Sequence, residues 1–157
     1  MSHTLPEQQL RWLTTEARPD AIIQRRYQRA RTRAALAALY ARVLGRHTAL
    51  PSLAELLAGK TVRGARTGGL RSVPLARIVA SEGRSADFDH RFRPRQTHTW
   101  DRWRAIAQAL WRGEVLPPVE LIEVRGSYAV RDGHHRISAA SALGQDAIDA
   151  VVTILEV

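Results

Sequence analysis

From Tyr128 to Ala140 the chain reads Tyr-Ala-Val-Arg-Asp-Gly-His-His-Arg-Ile-Ser-Ala-Ala. A short run of β-forming residues thus meets a glycine and passes into helix-forming ones. Asp132-Gly133-His134-His135-Arg136 is therefore expected to be a tight turn from a strand into a helix start. Such a turn suits an anion. Gly133 lets the backbone approach a ligand closely. The first amides of a helix have no intrahelical acceptor, and the helix dipole favours negative charge there. The Arg136 guanidinium presents a planar fork that matches phosphate oxygens. Adjacent residues of a helix point to different sides, so His134 and His135 make a poor chelating pair. Contact with phosphate is the role expected for one of them, and no metal site is assigned.

Two other segments carry polar residue types. Glu82-Gly83-Arg84-Ser85-Ala86-Asp87-Phe88-Asp89-His90 reads as a polar loop, and Arg91, Arg93 and Arg95 alternate just after it. These arginines can line a pocket or pair with Asp87, Asp89 and Asp101.

The elements that must position these groups are legible in outline. Asp20 to about Gly45 lacks proline and internal glycine and is rich in alanine, leucine and arginine, which predicts a helix of several turns. Ile23, Tyr27, Ala30, Ala34, Ala37, Ala41 and Leu44 form its apolar stripe, with Arg25, Arg26, Arg29 and Arg33 on other faces. Shorter helices are expected at 7–16 and 52–58. Residues 59–69 hold four glycines and three cations without apolar periodicity, the composition of a flexible connector. Beyond it the pattern predicts a strand at 70–79, a helix at 99–112, a hairpin of 119–124 and 128–131, a helix at 134–143 and a strand at 150–157. Trp100, Trp103 and Trp111 fall at helical spacings and are read as core. The organisation is thus a basic helical extension (1–58), a Gly/Arg-rich linker (59–69) and an α+β (α/β) domain with a small mixed sheet (70–157).

Composition narrows the classes. The chain has 157 residues and no cysteine, which excludes disulfides, thiolate metal sites and cysteine nucleophiles and fits a reducing, cytoplasmic setting. No apolar run approaches the roughly 20 residues of a membrane span, and no signal peptide is evident, so a soluble protein is expected. The net charge of +9 is unevenly spread, with 13 Lys/Arg against 4 Asp/Glu in residues 1–72 and 11 against 11 in residues 73–157. The basic N-terminal helices are candidates for electrostatic contact with DNA, for packing on the C-terminal part, or for a homodimer through the alanine-rich helix.

Residues 70–157 resemble the ParB/sulfiredoxin superfamily. Gly133, Arg136 and Ala139 match the Gly-x-x-Arg-x-x-Ala box of ParB N-terminal domains, and Gly133-His134-His135-Arg136 resembles the Gly-Cys-His-Arg turn of sulfiredoxin. Upstream, Ser72 to Val79, Phe92-Arg93-Pro94-Arg95 and Leu116-Pro117-Pro118-Val119 are similar, in order, to a first strand, a Gln-Pro-Arg segment and a proline-led strand. The resemblance implies nucleotide phosphates (ATP, ADP or CTP, with Mg²⁺) on the 132–139 turn, and ligand contact for Arg93 and Arg95. Because a free serine kinase family shares the fold, it also implies a carboxylate for hydrolysis or phosphoryl transfer, drawn from Glu82, Asp87 or Asp89, or from Asp132 beside the turn. Two departures limit it. His134 stands at sulfiredoxin's cysteine position, so sulfinic acid repair is not expected. The sequence ends at Val157, where chromosome-partition ParB proteins continue into a helix-turn-helix, so a centromere-binding clamp is not expected either. The alternative is a non-catalytic DNA-associated or regulatory module. A nuclease ranks last, since no carboxylate cluster has diagnostic spacing.

Overall fold

The computed structural model describes residues 18–83, 86–97 and 99–157. Within them lie four α-helices, α1 (Arg18–Val43), α2 (Leu53–Leu56), α3 (Trp100–Trp111) and α4 (His134–Leu143). Five strands, β1 (Gly64–Pro74), β2 (Ile78–Ser81), β3 (Val119–Val124), β4 (Ser127–Asp132) and β5 (Ala147–Glu156), form one sheet in the order β1-β5-β3-β4-β2. Pairing is antiparallel for β1 with β5 and β3 with β4, and parallel for β2 with β4 and β3 with β5. The fold class is therefore α+β with a mixed sheet. The short helix expected at 7–16 lies outside the described residues.

Alternation along the strands divides the apolar residues between the two sheet faces. Leu121 and Val130 join Val73, Val119, Val152 and Ile137 of α4 in one cluster. Their neighbours Ile122 and Ala129 join Ala80 and Val124 in another, which Leu53 and Leu56 of α2 help to cover. A Ser52–Glu55 capping box opens α2. The β3–β4 hairpin turns on Arg125 and Gly126, both at positive φ (50° and 81°), as a two-residue turn between right-twisted strands requires.

A third cluster joins α1 to the rest. Ile23 and Tyr27 are buried against Trp103 and Ala107 of α3 and Ala139 of α4. Tyr27 lies 4.6 Å from the Trp100 ring and 5.0 Å from that of Trp103, centroid to centroid. Its hydroxyl donates to the Gln96 carbonyl. Of the tryptophans read as core, Trp103 is fully buried and Trp100 partly so, whereas Trp111 at the last turn of α3 is 43% exposed.

Residues 64–69, expected as connector, are the first half of β1, an edge strand paired with Val152–Glu156. The register shifts between Thr67 and Gly69, and a Cβ on Gly68 would sit 3.1 Å from both Ile154 and Val152. The glycines there serve a bulge and a close approach, features that look the same as flexibility in composition. The expected strand 70–79 is likewise two elements, because Leu75–Arg77 forms a 3₁₀ turn that carries the chain from one edge of the sheet to the other.

Candidate functional site

β4 ends at Asp132, α4 begins at His134, and Gly133 makes the turn between them at φ 100°. A glycine is required there for two reasons. The backbone is left-handed, and a Cβ would collide with the Val119 side chain at the start of β3. The first intrahelical bond runs from Ile137 N–H to the Gly133 carbonyl. Gly133 supplies no side-chain cap, and no acidic residue stands in the first turn of α4. Helix N-termini ordinarily gather acids and capping oxygens. This one gathers two histidines and an arginine.

Arg136 is largely buried, with 17% of its side chain exposed. Its Nη1 donates to the Pro117 (2.5 Å) and Pro118 (2.9 Å) carbonyls, and Nη2 pairs with Asp132 Oδ2 at 2.6 Å. The guanidinium thereby fixes the entry to β3 against the turn, while among the described residues nothing accepts from its Nε. A cleft of about 50 Å³ opens at this point, lined by residues 132–136 together with Arg102 and Ile106 of α3.

Both histidines are buried, His134 at 5% and His135 at 7% exposure. His134 Nε2 and Ser81 Oγ of β2 are in hydrogen-bond contact at 2.7 Å. The Phe88 ring stacks on His134 at 6.0 Å and meets His135 edge-on at 5.3 Å. Trp103 Nε1–H donates to Ser138 Oγ and so ties α3 to α4 behind the turn.

The other candidates are dispersed. Glu82 pairs with Arg131 at 2.9 Å on the exposed sheet surface, and its hydrogen bond is the main cause that raises the Arg131 guanidinium above its ordinary value. Asp87 is half-buried and does not line the turn's cleft; its carbonyl accepts from Arg95 N–H. Arg93 binds the buried Asp89 carboxylate at 2.7 Å and lines a larger cleft beside α1. Arg95 is exposed and lines a third cleft with Arg42, Arg46 and His47. Of the residues singled out, the structure brings Asp132, Gly133, His134, His135 and Arg136 together and leaves Glu82, Asp87, Asp89, Arg93 and Arg95 outside the turn's cleft. Arg102 was missed, since 30 residues of intervening chain hide its approach to the turn. Among the described residues no three histidine, aspartate or glutamate side chains converge on a metal position. None of the described helices is long and apolar enough to cross a membrane.

No family model and no curated protein matches the chain. Among solved structures it is similar to the crystal structure of sulfiredoxin from Arabidopsis thaliana, with 22% identity over 53% of this chain and 82% of that one and a TM-score of 0.41. Sulfiredoxin belongs to the superfamily that residues 70–157 resemble. The α+β class is given by the mixed five-stranded sheet and its helices.

Proposed function

We propose that the chain binds a nucleoside di- or triphosphate by its phosphates at the Asp132–Arg136 turn, with Mg²⁺ as the companion cation. The observation that carries this reading is the composition of the α4 N-terminus. A glycine that cannot be replaced without a clash opens a helix with no acid in its first turn, and the exposed Arg102 lines the cleft beside Arg136, whose guanidinium pairs with Asp132. A bound phosphate complements that charge. With no acidic cluster among the described residues to hold the cation alone, Mg²⁺ would enter with the phosphates, as it commonly does.

Calorimetric titration of ATP, ADP and CTP with Mg²⁺ tests the reading. Arg136→Ala is expected to abolish binding but also removes the anchor of Pro117 and Pro118. Arg102→Ala is the cleaner variant, because Arg102 is exposed. Loss of one charge-assisted contact predicts a weakening of about ten- to a hundred-fold. No saturable binding of any nucleotide by the native chain would remove the proposal. A hydrolysis or transfer step at that phosphate would draw on Asp132, since Glu82 is committed to Arg131 and Asp87 does not line the cleft. Asp132→Asn would then lose turnover and keep binding; unchanged turnover would remove Asp132 from that role.

A further inference from the structure

A second cationic feature lies away from the turn. Arg25, Arg29 and Arg33 follow one another at four-residue steps on α1 and so span about 12 Å of its axis. They border a cleft of about 620 Å³ whose other side carries Arg91, Arg93, Ser138 and Ser141. Six guanidinium groups line it, counting Arg26, and no carboxylate does. Two of the six are committed, Arg26 to the Ala142 carbonyl at 2.8 Å and Arg93 to Asp89. Arg25, Arg29, Arg33 and Arg91 are exposed and have no ion pair among the described residues. Gathering like charges in a concave site raises a positive potential that an anion relieves.

The distribution of charge within the cleft selects the anion. Its most buried lining residues are Ser138 (2% exposed) and Phe92 (4%), with Ile22, Arg26, Ala30, Arg93 and Ala142 half-buried, while Arg25, Arg29, Arg33 and Arg91 are exposed. The two half-buried guanidinium groups, Arg26 and Arg93, are committed within the fold, whereas the four exposed ones are open to a large anion laid across the cleft. Phe92 is the one aromatic in the lining and is 4% exposed, so no base can stack there. The lining holds no asparagine, glutamine or acid, and its exposed α1 arginines stand in a row along the helix, spaced to meet successive phosphates. Contact with phosphates favours the duplex, which carries one charge per roughly 1.7 Å of axis.

We propose that the α1 cleft seats the phosphate backbone of double-stranded nucleic acid, without sequence preference and separately from the nucleotide turn. Fluorescence anisotropy of a labelled mixed-sequence DNA duplex on the full chain tests it. Four displaced counterions predict a log–log salt slope of about −3.6, or on the order of a hundred-fold loss between about 50 and 200 mM salt. Arg25→Ala/Arg29→Ala/Arg33→Ala should reduce the slope to about −1, with the melting temperature and Mg²⁺–nucleotide binding retained. Arg63→Ala/Arg66→Ala/Arg77→Ala, which removes equal charge elsewhere, should leave the slope unchanged. The proposal is overturned if the native chain does not bind the duplex at low salt, if the cleft variant keeps the native slope, or if the control variant loses as much. It is also overturned if inorganic tripolyphosphate at stoichiometric amounts displaces the duplex, which would make the cleft a small-ligand site.

Discussion

Gly133 is the residue on which the site turns. Its left-handed backbone and the Val119 side chain leave no place for a Cβ. Gly133→Ala should therefore destabilise the fold by about 2–4 kcal/mol, from the positive φ and from overpacking together. Chemical denaturation checks this, and a variant as stable as the native chain would contradict the geometry. Ser81→Ala removes one contact of the buried His134 and should cost about 1 kcal/mol. Gly133 and Arg136 were legible in the sequence because a strand-to-helix turn with a glycine and a fork-shaped cation is a local pattern. The burial of both histidines was not, because it depends on Phe88 and Ser81, more than 45 residues away. Arg102 was hidden for the same reason.

At the scale of elements, α1 and α3 are held by apolar packing and by one polar link. Ile23 is fully buried in the cluster with Trp103, so Ile23→Ala should cost about 2–5 kcal/mol in a denaturation followed by tryptophan fluorescence. The polar link is Asp20, which accepts from Gln108 and pairs with Arg104. The Gln108 hydrogen bond and, after it, the Arg104 charge hold the Asp20 carboxyl below its ordinary value. A carboxyl whose value is lower in the folded state binds its proton more weakly there. Its contribution is complete above the ordinary carboxylate range and fades as pH falls through the lowered value, below about pH 4. Asp20→Asn should accordingly flatten the acid limb of the stability profile; an unchanged limb would show that the link is idle. Helices α3 and α4 and the β3–β4 hairpin were readable from periodicity and turn chemistry nearly to the residue. β1 was half-hidden, since its glycines and cations suit a bulged edge strand as well as a linker.

For the whole molecule, the charge asymmetry visible in the sequence becomes spatial. The basic excess of residues 1–72 includes the arginines of α1, which packs beside α3 and α4. Among the described residues arginines line three clefts, a small one at the 132–136 turn, one bordered by the α1 row and one that includes Arg95. The sequence located the first cleft through a local motif but placed Arg93 and Arg95 with it. They belong to other clefts because the 87–97 loop folds around the buried Asp89, which accepts from the Arg91 and Arg93 amides. The proposed phosphate recognition at the α4 N-terminus is read out by calorimetry of Mg²⁺–ATP, Mg²⁺–ADP and Mg²⁺–CTP against the native chain and Arg102→Ala. Saturable binding of at least one nucleotide, weakened about ten- to a hundred-fold in the variant with its melting temperature unchanged, is the predicted result. Binding of equal strength in both proteins, or none in either, would contradict it.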